Sequence, residues 1–150
     1  MPPPMIHQRS CLALATVLCS TVWLGCASDI LDPGGCAGEV SLTIQGGPAP
    51  EFSWTPPCGV LELGVTQQYV DPSCQCLMGR VLWVLESRDA DRNQLEPSIR
   101  YGQTPTVGRT THAAEPLTSG EEYEVVLTRL NLQGTVRTRH TAGRLTFTAP

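Results

Sequence analysis

Cys74 and Cys76, two positions apart, are with Cys36 and Cys58 the residues of this sequence best equipped for covalent chemistry. Four thiols can close two disulfides, or they can hold one zinc ion as four thiolates. A zinc site normally draws each half of its ligands from a CxxC-like turn. Here one half is Cys74-x-Cys76 and the other is split between Cys36 and Cys58, so disulfides are the expectation. A bridge between neighbours as close as Cys74 and Cys76 is strained. That leaves Cys36 and Cys58 each joined to one of the pair, in an order the spacing does not fix, with Cys58–Cys74 preferred. No metal and no cofactor is expected.

The other polar groupings are weaker. Asp89-Ala-Asp91-Arg-Asn93 has the opening of a calcium loop, which goes on to need a Gly at the sixth place and a Glu at the twelfth. Gln94 and Arg100 stand there instead, and Arg100 would repel the ion. His112 and His140 have no Cys, His or carboxylate at ligand spacing around them, and read as exposed strand or loop residues. No Gly-x-Ser-x-Gly elbow, phosphate-binding Gly loop or HExxH motif occurs. Glu122 and Glu124 alternate with Tyr123 and Val125, which puts the carboxylates on the solvent side of a strand. The one local excess of positive charge is Arg137, Arg139, His140 and Arg144, a candidate recognition patch at one end of a sheet protein, with the 86–98 loop beside it as the next surface to inspect.

Composition narrows the function classes. The 150 residues suffice for one domain, and 41% hydrophobic content suits a packed core. Fourteen Gly and thirteen Pro imply many turns. The net charge is −4 and no basic stripe runs along the chain, so nucleic acid is not an expected partner. All ten basic residues are Arg.

The N-terminus reads as an address. Cys11 to Leu24 is uncharged and follows His7 and Arg9, the form of a signal peptide. Spanning a bilayer takes about 20 apolar residues, and the acidic Asp29 and Asp32 that follow give no positive stop-transfer flank. The run ends Trp23-Leu24-Gly25-Cys26, which resembles the lipobox of bacterial lipoproteins. The resemblance implies lipidation at Cys26 and loss of Cys11 and Cys19 with the signal. Trp23 departs from the aliphatic residue usual at that place. Ordinary cleavage after Ala27 is the alternative, since Gly25 and Ala27 supply small residues for it. Residues 1–26 are thus expected to be signal, 27–38 a flexible tether, and 39–150 one domain. Export in turn favours disulfides.

Within 39–150 the hydrophobic period is two. Val40, Leu42 and Ile44 alternate with polar residues, as do Phe52 and Trp54, and then Leu61, Leu63 and Val65. A turn-rich insert around Asp71-Pro72 follows. Residues 81–85 are continuously apolar, as a covered strand would be. Ile99 with Tyr101 makes a short strand, and 122–130 and 144–148 are the last clear ones, with Val136 and Thr138 extending a hairpin. About seven short strands without a helical period predict an all-β antiparallel sandwich.

Trp54 in Phe-Ser-Trp-Thr-Pro-Pro and the segment Leu117-x-x-Gly120-x-x-Tyr123-x-Val125 resemble the second-strand Trp and the tyrosine corner of fibronectin type III and related immunoglobulin-like domains. The resemblance implies a fibronectin type III-like sandwich in which Trp54, Trp83, Tyr123 and Phe147 are core and the Tyr123 phenol caps a nearby carbonyl. Ser119, where the family prefers Pro, and the Cys-bearing insert at 71–79 depart from it. The strand order between 58 and 101 is left open.

Together these features point to a lipid-anchored, non-enzymatic binding or structural module of the bacterial cell envelope, at the outer membrane or cell surface. Its partners would be the membrane, through the lipid, and an envelope protein or polysaccharide. The alternative is a secreted or periplasmic carbohydrate-binding or enzyme-accessory module, which would need Trp83 and Tyr101 exposed together on one face.

Overall fold

The computed structural model describes residues 38–133 and 135–150. The signal segment, Cys26, Cys36 and all but the last residue of the tether lie outside the described residues. Eight strands follow: β1 (Ser41–Gln45), β2 (Glu51–Thr55), β3 (Glu62–Asp71), β4 (Cys76–Ser87), β5 (Ile99–Arg100), β6 (Gly108–His112), β7 (Glu122–Gln133) and β8 (Val136–Thr148). They form two antiparallel sheets, β1-β2-β5 and β6-β4-β3-β7-β8, packed as a β-sandwich. The expected all-β sandwich is therefore present, with eight strands.

Alternation explains what each strand buries. Phe52 and Trp54 of β2, Leu63 and Val65 of β3, and Tyr123, Val125 and Leu127 of β7 all point inward, since every second side chain of a strand shares a face. Between the sheets Phe52 stacks on Trp83 at 6.4 Å and meets Phe147 edge-on at 5.7 Å. Trp54 and Trp83 are buried, and Phe147 is partly buried against the same cluster. Each such side chain contributes about 1.5–3 kcal/mol by leaving water. The Trp54 indole N–H donates to the Cys58 carbonyl at 2.7 Å. The Tyr123 phenol oxygen accepts from the Thr118 N–H at 2.8 Å, so it caps a donor where a carbonyl was expected.

The first described residues tie the two sheets together. Val40 N–H donates to the Ala142 carbonyl, and β1 then runs along β8 so that Ile44, opposite Phe52, reaches the level of Phe147. Gly143 permits this approach: a Cβ there would lie 2.9 Å from Val40 Cγ2.

Three elements differ from the sequence expectation. β6 was not anticipated, because Gly108–His112 carries no alternating apolar residues; it is an edge strand that pairs with β4 from Val84↔His112 to Ser87↔Gly108. The apolar run 81–85 is not covered throughout. Val81 is exposed, while Leu82 and Trp83 are both buried in succession. A register shift opposite Val65 and Thr66 sets two β4 residues against one and makes that succession possible. The segment 71–79, expected to be a turn-rich insert, is the tip and returning half of one long hairpin, since β3 and β4 pair from Glu62↔Glu86 to Asp71↔Cys76 with one register shift.

The disulfide pairing is also corrected. Cys74 and Cys76 bond each other, so neither is joined to Cys58. Asp71 accepts the Gln75 N–H at 2.8 Å and Gln75 has φ of 56°, so the chain doubles back within the turn. That brings the two Cα atoms to 5.2 Å, inside the ordinary disulfide range of about 4.4–6.8 Å. A straight strand would hold them about 6.6 Å apart, near the upper limit of that range. Cys58 is itself disulfide-bonded and fully buried.

Candidate functional site

The structure gives the arginine patch a carboxylate for each guanidinium. Arg137 pairs with Asp91, Arg139 with Glu62 at 3.3 Å, and Arg144 with Glu124 at 3.4 Å further along β8. His140 is half-buried and opposite Arg129 in the ladder. Burial raises the Glu62 pKa, the Arg139 charge opposes that rise, and Glu86 adds to it. The patch is thus largely neutralised within the fold. All three pairs involve exposed guanidinium groups, so Arg137→Ala and Arg139→Ala should each change stability by less than about 1 kcal/mol in urea denaturation.

The Asp89-x-Asp91-x-Asn93 oxygens do not converge. Asp89 accepts the Asp91 N–H at 3.0 Å, Asp91 takes Arg137, and Asn93 turns inward. Its amide clasps β7, donating to the Leu130 carbonyl at 3.0 Å and accepting the Leu130 N–H at 2.8 Å. His112 Nε2 lies 3.5 Å from Glu115. No group of three or more His, Cys, Asp or Glu side chains suited to a metal gathers among the described residues. Trp83 and Tyr101 meet edge-on at 5.2 Å, with Trp83 fully buried and the Tyr101 hydroxyl donating to the Glu115 carbonyl at 2.7 Å. Burial, chiefly, and then the Glu115 charge push the Tyr101 pKa up to about 12. These rings therefore offer no open stacking platform.

The surface that does stand out is the β3–β4 arm. β7 pairs with β3 only from Glu62↔Thr128 to Thr66↔Glu124, and β6 pairs with β4 only over Val84–Ser87. Beyond those limits residues 67–71 and 76–81 form a two-stranded ribbon with no strand on either outer edge among the described residues. Five of the seven exposed large apolar side chains of the described chain sit on it: Tyr69, Val70, Leu77, Met78 and Val81. Tyr69 faces Met78 and Val70 faces Leu77 across the ladder. Successive pairs point to opposite faces, so both faces of the ribbon are apolar.

Charge is nearly absent from the arm. Its Arg80 is paired with Glu115, and the Asp71 carboxylate accepts the Ser73 hydroxyl at 2.6 Å and the Ser73 N–H at 2.8 Å, which lowers the Asp71 pKa. A shallow cleft of about 220 Å³ lies at its base, between Gln68, Leu77, Gly79 and Glu124. The exposed Cys74–Cys76 bridge closes the tip. Large contiguous apolar patches on a protein surface are in general a mark of interaction sites.

No family model, curated protein or solved structure matches this chain. The site is therefore read from its own geometry. Sequence reasoning placed its candidate recognition patch on β8 and did not single out the arm, although Tyr69-Val70 and Leu77-Met78 flank Asp71-Pro72 symmetrically enough to have suggested a hairpin.

Proposed function

We propose that this protein is an exported, lipid-tethered and non-enzymatic module of the bacterial cell envelope that docks a second protein along the β3–β4 arm. The observation that carries the docking half is the clustering of exposed apolar side chains on a ribbon with no strand on either outer edge among the described residues. Free edges offer backbone N–H and C=O groups, which an extended polypeptide can pair with and a polysaccharide cannot match in register. The near absence of charge favours an apolar segment over a polyanion. The partner is thus a protein presenting an extended apolar strand. The tether half rests on the signal-like run and the Gly25-Cys26 junction. The likeness of Trp54 and of the Leu117-to-Val125 segment to fibronectin type III domains fits a binding scaffold, by analogy of fold.

The arm also lies at the end of the sandwich away from where the described chain begins. Val40 sits at the level of Ala142, and β1 and β3 both run from there toward the arm. A tethered domain would hold the ribbon outward from the lipid.

A photo-crosslinking residue at Leu77, with Thr138 on β8 as control, tests the docking half in the native host. The expected result is an adduct from position 77 alone that maps to an apolar segment of another protein. Adducts confined to lipid, to glycan or to a second copy, or equal yields at both positions, would overturn it. For the tether half, the mature protein should begin at Cys26, carry acyl mass and move to the soluble fraction on Cys26→Ser. An unmodified soluble species beginning at Ser28 would sink that half.

A further inference from the structure

The Cys74–Cys76 bridge differs from the other disulfide sulfur of the described chain in its access to solvent. Cys58 is fully buried, and its sulfur is out of reach of solvent thiols. Cys74 and Cys76 are both exposed, at the outermost point of the arm. Exposed disulfides are the labile ones, because a thiolate must approach along the S–S axis. We infer that Cys74–Cys76 is a thiol–disulfide exchange site whose co-substrate is a thiol, either of a docked protein or of a small molecule.

Three features of the hairpin suit it to exchange. The bridge spans a sequence separation of only 2, so closing it removes little chain entropy and opening it releases little. The fold does not depend on the bridge to hold the turn: Asp71↔Cys76, Val70↔Leu77 and Tyr69↔Met78 are paired in the ladder, and Asp71 accepts both the Gln75 N–H and the Ser73 N–H. Held by these contacts, the two Cα atoms stay near their 5.2 Å spacing when the bond opens, which keeps the second sulfur beside the first. A released thiolate can then resolve a mixed disulfide rapidly.

The exchange balances as follows. A thiolate RS⁻ attacks one sulfur of the bridge, forming RS–S–Cys and releasing the other cysteine as thiolate. A second RS⁻ attacks the mixed disulfide at the R-bearing sulfur, giving RS–SR and the second cysteine thiolate. Two thiols are oxidised to one disulfide, and the bridge takes up two electrons and, on protonation, two protons. The reverse sequence reoxidises the pair at the expense of an RS–SR disulfide. The apolar side chains at 69, 70, 77 and 78 flank the reacting sulfurs.

Glutathione is the probe, so the test does not require the arm to dock anything. The full exported protein is equilibrated in buffers of rising reduced-to-oxidised glutathione ratio, quenched with acid, alkylated and mapped by mass. Cys74 and Cys76 should become labelled together, at a reduced-to-oxidised ratio at least tenfold below the one that labels Cys58, with the circular dichroism spectrum unchanged. Cys74→Ser and Cys76→Ser should each accumulate a glutathione adduct at the remaining sulfur, because the resolving thiol is gone. If the pair stayed oxidised until Cys58 was also reduced, or if its reduction erased the native spectrum, the bridge would be a structural clip and the inference would fail. Crosslinking at Leu77 would be unaffected by that failure, so the two readings are separable.

Discussion

Trp83→Ala lowers the stability of the domain by about 3–5 kcal/mol, the largest loss expected from any single aromatic truncation here. Trp83 is fully buried on β4 and lies in ring contact with both Phe52 and Tyr101, so its removal opens a cavity where the two sheets meet. A domain of this size has only about 5–15 kcal/mol in total, and the variant should begin to unfold at far lower urea than the parent. Trp83→Phe is the informative comparison. The Trp83 indole N–H has no hydrogen-bond partner among the described residues, so Phe loses volume but no bond and should cost roughly 1–2 kcal/mol. At Trp54, where the indole N–H donates to Cys58, the same change forfeits a buried bond as well. The urea midpoints of Trp83→Ala and Trp83→Phe give the measurement. A Trp83→Ala loss below about 1 kcal/mol would mean that the ring is not packed between the sheets.

Arg129 is the second site of large effect. It is 1% exposed and sits in phase with Tyr123, Val125 and Leu127, so a charged side chain occupies the fourth inward place of β7. Its Nε–H donates to the Gly59 carbonyl, in the link between β2 and β3, at 3.1 Å. Burial draws the guanidinium pKa below its ordinary value, yet an arginine remains charged at any ordinary pH. Arg129→Ala removes the packed stem and leaves a buried carbonyl without this donor, and should cost about 2–4 kcal/mol. Arg129→Lys keeps the charge but desolvates a group that can discharge. Its folded pKa then falls below the unfolded one, the unfolded state binds more protons, and stability should rise with pH on the alkaline side. Urea melts of Arg129→Lys across that range read the slope directly. A flat profile would contradict burial of the charge.

Arg129 also shows how far the sequence was legible. The alternation that marked Tyr123 and Val125 as inward placed Arg129 inward too, but a charged residue in that phase reads naturally as the strand's exposed end. What settles it is a carbonyl some seventy residues away, and no local pattern encodes such a partner. The same division runs through the fold. Strands with strict alternation, such as Phe52-Ser53-Trp54, were plain, and so were the two turns rich in Gly and Pro around 46–48 and 56–57. β6 was hidden because an edge strand of Gly, Arg, Thr and His buries almost nothing. The arm was hidden for the opposite reason. Its apolar residues fall in adjacent pairs, because neither face is a core face, and two-faced ribbons carry no period. The disulfide was misjudged from spacing alone, since a left-handed Gln75 draws closer two cysteines that an extended backbone would leave near the limit of disulfide reach.

The placement of Val40 beside Ala142, at the end remote from the hairpin tip, has a mechanical consequence. A pull between the beginning of the described chain and a partner gripping the arm would act along the strand axes. Such a load shears the ladders, and many hydrogen bonds must give way together. A load across the strands would peel them one at a time at far lower force. Held from one end and gripped at the other, the sandwich would be oriented as a tension-bearing link.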